Sequence, residues 1–325
     1  RGAVDKPFKY YEMCKTFFIA IATMLLATGL ISCHSEKDEA ANDSEQTRLE
    51  QARLEQAIHM DTTSLMKVVD TDTIGSRAKL DALTASAWML VDDSTGMVIS
   101  AKNAYERRYM ASITKMMTAL LALEQGQLTD TVEITDDVCI DKNAHVKAGD
   151  AFVTGDLIYE MMMSSDNNAA YALAKHVAGD TLAFYDMMNR KARYLDMDNT
   201  NFANPNGMPN DNNYSCAADL MKLARYCMRD SAFAAVAGTK EKEILLTDGR
   251  KMNCKNVNEL LFTYKGCTGI KTGSTLQAGF CLVTSATRDG TTLTLVLLDS
   301  RTSDKRFKES ATLLDHGFKV MRACK

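Results

Sequence analysis

Apolar positions fall into three regimes along the chain. Phe17 to Ile31 is an almost unbroken apolar run of about 15 residues, too short to span a bilayer comfortably. Residues 34–75 are charged, poor in aromatics and without a sustained apolar face. From there on, periods typical of folded elements appear. Ala87–Val91 predicts a strand, Asp93-Ser94-Thr95-Gly96 a turn and Met97–Ser100 the returning strand. Residues 112–235 then read mainly as helices, over Lys115–Glu124, Thr154–Met163, Asn168–Val177, Thr181–Tyr194 and Ala217–Met228. Strands return at Gly279–Thr287 and Thr291–Leu298, joined by a turn at Arg288-Asp289-Gly290, and an amphipathic helix follows over about Asp304 to Met321. Strands from both ends of the chain thus enclose a helical lobe at about 105–255. The expected class is α+β, an antiparallel sheet flanked by helices, with a cleft between sheet and lobe as the place for a site.

The first regime is read as an address. Met13 is taken as the start, with residues 1–12 upstream of it, and Lys15 supplies the positive charge ahead of the apolar run. The run ends in Leu30-Ile31-Ser32-Cys33, which resembles a bacterial lipobox. That resemblance implies a signal peptide cut before Cys33, acylation of Cys33, and a lipid anchor that holds the rest of the chain outside the cytoplasm. The alternative is an uncleaved membrane anchor. Residues 34–75 then form a tether. Arg48-Leu49-Glu50-Gln51-Ala52 is repeated at once by Arg53-Leu54-Glu55-Gln56-Ala57, strong helix formers that suit a spacer. The folded part is assigned to residues 76–325.

Composition narrows the class further. The 325 residues are 46% hydrophobic and 25% charged, with only three prolines, as in an ordinary globular protein. A net charge of −4 argues against nucleic acid as a partner. The nine cysteines form no CxxC pair or zinc-type cluster, so most are read as small buried apolar residues, and no metal or other cofactor is expected. The 20 methionines are read as core filling.

Three short motifs carry candidate chemistry. Ser112-Ile113-Thr114-Lys115 opens a predicted helix, so a hydroxyl and an amine three residues apart share one face. A serine hydroxyl needs a base to become a nucleophile, and a lysine serves as one if burial lowers its pKa. The free N–H groups of a helix start also suit an oxyanion. Ser165-Asp166-Asn167 is a polar run between two apolar helical segments. Lys271-Thr272-Gly273 lies just before the strand Gly279–Thr287, where a glycine leaves room for a peptide against a strand edge. Each motif alone is as well explained by a helix cap, a connecting turn or a Gly-rich turn.

In this order the three motifs resemble those of the penicillin-recognising serine enzymes. The flanks, Met110-Ala111 before Ser112, Asn204-Pro205-Asn206-Gly207, Tyr214-Ser215, Asn256–Leu261 and Gly269-Ile270 before Lys271, resemble low-molecular-mass D-alanyl-D-alanine carboxypeptidases, the penicillin-binding proteins of the S11 peptidase type. The resemblance covers about residues 84–320 and implies the β-lactamase/transpeptidase-like fold. It implies removal of the terminal D-alanine from peptidoglycan stem pentapeptides, and covalent inhibition by β-lactams. It makes Ser112 the nucleophile, Lys115 its base and Ser165 a proton relay. Asn167, Lys271, Thr272, Gly273, Ser274 and Arg306 become substrate-binding residues, with Arg301 the second choice for the arginine; Ser112 and Ser274 supply the oxyanion N–H groups. Two departures stand out. The middle motif usually reads Ser-Gly-Asn-Asp, against Ser165-Asp166-Asn167-Asn168 here. Many relatives also continue into a β-domain with a membrane helix, whose role the lipid on Cys33 is expected to take. A D,D-endopeptidase is the nearest alternative. A class A β-lactamase is disfavoured, because no Glu-x-x-Leu-Asn segment is found. A catalytically silent peptidoglycan-binding lipoprotein is disfavoured by the intact motifs.

Overall fold

A computed structural model describes Leu80 and residues 82–324, apart from Gly126. Met13, the apolar run, Cys33 and the tether lie outside these residues. No helix among the described residues is long and apolar enough to cross a membrane.

The centre is a five-stranded antiparallel sheet in the order β2-β1-β9-β8-β7. Its strands are β1 (Ala87–Asp92), β2 (Val98–Lys102), β7 (Cys267–Thr275), β8 (Gly279–Arg288) and β9 (Thr291–Ser300). Both faces are buried, and the period-2 alternation of the strands sorts side chains between them. Trp88, Leu90, Leu293, Leu295 and Leu297 pack against Leu313, Leu314 and Phe318 of the C-terminal helix α8 (Ser303–Ala323). Met89, Val91, Val296 and Leu298 point the other way, into the larger core shared with the helical lobe. The first and last strands of the described residues therefore share one sheet, as expected.

The lobe holds α1 (Lys115–Gln125), α2 (Thr154–Met163), α3 (Asn167–Ala178), α4 (Thr181–Tyr194), α5 (Ala217–Arg229) and α6 (Ser231–Gly238). The helices Thr154–Met163 and Thr181–Tyr194 have the bounds expected, and α1, α3 and α5 differ by one or two residues, where ends fray, while α6 and a short α7 (Leu260–Thr263) had no expected bounds. Met116, Met117, Met161, Met162, Met163 and Met188 are buried in the lobe's core, the gap-filling role read from composition. Among the described cysteines, Cys216, Cys227, Cys254 and Cys281 are buried and all seven are free thiols.

Three features depart from the expectation. A short ladder pairs β3 (Thr131–Glu133) with β4 (Ala151–Val153), and a hairpin pairs β5 (Glu241–Leu245) with β6 (Lys251–Lys255) around an Asp248-Gly249 turn. The hairpin carries Glu243 against Lys251 and Glu241 against Lys255, so cross-strand charge pairs replace the apolar face that would have announced it. More important, Lys271-Thr272-Gly273 precedes the strand Gly279–Arg288 as expected, but it also lies within a strand of its own. β7 is the sheet's edge strand, hydrogen-bonded to β8 on one side, with Lys271 opposite Val283 and Gly273 opposite Cys281. Its two glycines and the polar Lys271 and Ser274 masked its β character in the sequence.

Candidate active site

Ser112 lies in a turn of 3-10 helix, Ala111–Thr114, that runs straight into α1. The apolar positions of this segment, Met110, Ile113, Met116 and Met117, are fully buried and pin the turn against the core. Ala111 enters it with φ +47°, a strained conformation for a residue with a Cβ. Gly207 explains why the turn sits where it does. Its φ is +87°, and a Cβ there would lie 1.9 Å from the Ala111 carbonyl oxygen. Only glycine lets the 204–208 loop touch the backbone beside Ser112. The Asn204 side chain closes that loop, accepting from Gly207 N at 2.7 Å and donating to the Met208 carbonyl at 2.9 Å. Thr118 of α1 donates to the Pro205 carbonyl at 2.6 Å. Gly273 plays the matching part from the other side. A Cβ there would fall 3.0 Å from both Met110 O and Ser112 N, so the edge strand passes directly over the start of the turn.

Lys115 is completely buried. Its Nζ lies 2.9 Å from Ser112 Oγ, 2.8 Å from Asn167 Oδ1 and 2.8 Å from the Asn206 carbonyl. Burial lowers its pKa from 10.5 to about 7, with the negative charges of Asp166 and Asp141 pulling in the opposite direction. The i, i+3 placement read from the sequence thus delivers both groups to one point, and the tertiary packing supplies the desolvation.

The second motif connects α2 to α3. Ser165 has φ +64°, the second left-handed non-glycine residue at the site. Its Oγ accepts a hydrogen bond from Lys271 Nζ at 2.9 Å, so motifs two and three meet. Asp166 is the N-cap of α3, accepting from Ala169 N at 2.9 Å, an interaction worth about 1 kcal/mol. Its other oxygen accepts from His145 N at 2.7 Å and Val146 N at 3.1 Å. Asn167, the first residue of the helix, presents its carbonyl oxygen to Lys115 and donates through Nδ2 to Asp141 Oδ2 at 2.8 Å.

Lys271 is also buried and donates to the Thr272 carbonyl at 3.1 Å. Burial is the main cause that holds its pKa well below the usual lysine range, and the positive charges of Lys115 and Arg306 add to it. Arg306, on the first turn of α8, is buried beneath the edge strand. Its guanidinium donates to the Gly273 carbonyl at 3.3 Å, the Cys281 carbonyl at 3.4 Å and Ser303 Oγ at 3.0 Å, while its Nε has no partner. Thr272 is nearly buried and Ser274 is exposed on the strand just beyond Gly273. Arg301 is exposed in the β9–α8 connection.

The structure brings in two groups that the sequence reading left out. Asn206 was part of a recognised flank, but its backbone carbonyl, not its side chain, is the third partner of Lys115. Asp141 comes from a loop 26 residues before Asn167, and nothing in its local sequence marks it. Three other polar residues cluster nearby: His145, Glu160 and Asp166 each place a ligand-type atom within 4.8 Å of the others. Both carboxylates already accept three hydrogen bonds each. Glu160 receives His145 Nδ1 at 2.9 Å, Ser164 Oγ at 3.1 Å and the Cys254 thiol, and Asp166 receives the three backbone N–H groups above. The cluster is a hydrogen-bond hub that ties the 141–146 loop to α2 and α3.

Residues 74–302 match the family model for peptidase S11, D-alanyl-D-alanine carboxypeptidase. The chain is similar to the D-alanyl-D-alanine carboxypeptidase of Streptomyces sp. strain K15, 36% identical over 247 residues that cover 70% of this chain and 85% of that one. It is 30% identical over 251 residues to DacF of Bacillus subtilis, covering 75% of this chain and 64% of DacF, so it spans less than two thirds of that longer relative. Among solved structures, the Streptomyces K15 DD-transpeptidase aligns with a TM-score of 0.70 and 32% identity, over 73% of this chain and 98% of that one. DacD from Francisella tularensis aligns with a TM-score of 0.67 and 32% identity, over 73% of this chain and 70% of that one. The order of the motifs, the sheet that joins strands from 87–102 to strands from 267–300 and the extent of these similarities lead to one conclusion: the chain belongs to the peptidase S11, D-alanyl-D-alanine carboxypeptidase family.

Proposed function

We propose that the chain is a serine D-alanyl-D-alanine carboxypeptidase that removes the terminal D-alanine from peptidoglycan stem pentapeptides through an acyl-enzyme on Ser112. The observation that carries this reading is the buried Lys115 amine, 2.9 Å from Ser112 Oγ with its pKa lowered to about 7. An amine with that pKa is substantially neutral at physiological pH and can take a proton.

The hydrogen-bond geometry supports the direction of transfer. A neutral amine has two N–H donors and one lone pair. Asn206 O and Asn167 Oδ1 are both acceptors, so they take the two N–H groups. The lone pair is left facing the Ser112 hydroxyl. Lys115 takes that proton as Ser112 Oγ attacks the carbonyl carbon between the last two D-alanines. The oxyanion lies against the backbone N–H groups of Ser112 and Ser274, next to the gap that Gly273 leaves. As the C–N bond breaks, the leaving nitrogen receives a proton relayed through Ser165, which Lys271 holds. Water then attacks the ester, its proton returning by the same route, and the shortened stem leaves. The stem is extended along the open edge of β7 as an added strand. The substrate's C-terminal carboxylate lies towards Lys271 and Thr272, with Arg306 supplying positive charge from beneath the strand. An arriving carboxylate reverses the electrostatics that disfavour the Lys271 cation, so binding and protonation support each other.

β-Lactams acylate the same serine on this reading. The two carboxylates that act on Lys115 both have structural partners. Asp141 accepts from Asn167 Nδ2 and Asn143 N, and Asp166 from three backbone N–H groups. Both carboxylates serve to hold the 141–146 loop, and no Glu-x-x-Leu-Asn segment supplies a deacylating glutamate, which favours a carboxypeptidase over a β-lactamase. Export and lipid anchoring through Cys33 complete the proposal, supported by the Leu30-Ile31-Ser32-Cys33 pattern, and place the enzyme where peptidoglycan is.

The test is D-alanine release from a stem pentapeptide, run beside labelling with fluorescent penicillin. Wild type is expected to release D-alanine and take one label, and Ser112→Ala to do neither. Labelling that survives the substitution overturns the nucleophile assignment. Faster cleavage of cross-linked muropeptides than of pentapeptides assigns an endopeptidase instead. The anchor is tested separately, by incorporation of labelled palmitate in cells, which Cys33→Ala should abolish.

A further inference from the structure

We infer that Asp141 is a positioning residue of the reaction: its carboxylate holds the Asn167 amide in the one orientation that aims the Lys115 lone pair at Ser112. This deepens the function proposed above and rests on that reading.

The argument starts from Asn167. A primary amide can present either its oxygen or its NH2 to a neighbour, and the two orientations have nearly the same shape. With NH2 turned to Lys115, the neutral amine has to point its lone pair at Asn167 instead of at Ser112. Something must choose between them. Asp141 Oδ2 lies 2.8 Å from Asn167 Nδ2, and an ionised carboxylate only accepts. The amide is therefore locked with NH2 towards Asp141 and Oδ1 towards Lys115 Nζ, 2.8 Å away. The chain of contacts runs from Asp141 through Asn167 and Lys115 to Ser112.

The loop that carries Asp141 is gripped by the residues around Asn167. Asn168, buried on α3, accepts from Asp141 N at 2.9 Å and donates to the Asp141 and Val146 carbonyls at 3.0 and 2.9 Å. Asp166 accepts from His145 N and Val146 N. Three consecutive side chains, Asp166, Asn167 and Asn168, thus bind one loop. Asp166 and Asn168 are the two positions at which this chain departs from the usual Ser-Gly-Asn-Asp pattern noted above. Both hold the loop in register so that Asp141 meets the Asn167 amide.

Asp141 also acts through its charge. The charged groups facing Lys115 are Asp141 from the loop, Asp166 from the α2–α3 connection and Lys271 from β7, with Arg306 behind Lys271. Lys147 faces Asp141 within its own loop. Removing the Asp141 carboxylate takes away one of the two negative charges that favour protonated Lys115, so the lysine loses its proton at lower pH.

The experiment measures the second-order rate of acylation by fluorescent penicillin for the full chain, from pH 5 to 9, with melting temperature recorded beside it. Asp141→Asn keeps the shape but loses the charge and the acceptor-only character. It is expected to lower the plateau rate about 10-fold and to move the acidic limb to lower pH. Asp141→Glu restores the charge and should bring the limb back to the wild-type position. A slower Asp141→Asn variant with an unmoved limb has lost only structure, and overturns the inference. So does a variant whose rate and limb both match wild type. A wild-type chain that takes no label overturns the acyl-enzyme reading and this inference with it. A wild type that labels normally beside an unchanged Asp141→Asn overturns the inference alone.

Discussion

Acidification should switch the enzyme off through a single group, Lys115. Its pKa is lowered from 10.5 to about 7 by burial. At about 1.4 kcal/mol per tenfold change, this represents roughly 5 kcal/mol of penalty on the buried cation. The same figure governs reactivity. Above pH 8 most of the lysine is neutral and acylation of Ser112 runs at its plateau. At pH 5 about 1% remains neutral, so the rate should fall roughly 100-fold, with a slope of one decade per pH unit below the break. The assay is the second-order constant for penicillin labelling, taken across pH 5–10 in buffers of matched ionic strength. Lys115→Arg provides the control, since a guanidinium cannot act as a base in this range and the variant should label at a small fraction of the wild-type rate throughout. A wild-type rate that keeps rising tenfold per unit up to pH 10 refutes the reasoning, because it would mean that Lys115 keeps an ordinary pKa despite its burial.

Lys115 also makes stability depend on pH, and a variant isolates its share. Between about 7 and 10.5 the unfolded chain holds the lysine's proton while the folded chain has released it, so wild-type stability from this group rises with pH across that window. Lys115→Met should therefore be more stable than wild type at pH 6–7, and its advantage should shrink by a few kcal/mol by pH 10, measured by chemical denaturation. An advantage that does not change with pH contradicts the assignment. Gly207→Ala should be among the most damaging small substitutions, because its Cβ would lie 1.9 Å from Ala111 O in a backbone at φ +87°. A loss of about 3 kcal/mol or more is expected, read as a fall in denaturation midpoint and loss of labelling together. Tolerance of alanine there would refute the close approach of the two loops. Asp166→Ala should cost about 1 kcal/mol as a lost helix cap, and more where His145 N and Val146 N lose their acceptor, also read by denaturation.

Much of the candidate site was legible in the sequence. Ser112 and Lys115 share a face because three residues make nearly one helical turn, and the buried Met110, Ile113, Met116 and Met117 marked where that turn must start. Ser165 and Asn167 sat between two apolar helices, and their polarity announced a connection. Lys271 was recognised as a motif ahead of the strand that starts at Gly279, but the strand that contains it was missed. A strand built from Gly269, Gly273 and threonines lacks the branched apolar alternation that reveals strands, and only pairing with β8 made it one. The β5–β6 hairpin was missed because charge pairs hold its exposed face.

What the sequence determined by itself is local: which residues can carry the chemistry, their spacing within a turn, and the order of strands and helices that brings strands from before and after the helical lobe into one sheet. The tertiary structure alone decided what converts those residues into a working set. The depression of the Lys115 pKa exists only because the lobe and sheet exclude water from that amine. The Asn206 carbonyl reaches it from 91 residues away, and Asp141 reaches Asn167 from a loop with no motif. Desolvation and the aiming of lone pairs depend on which distant atoms come together, and no run of neighbouring residues encodes that.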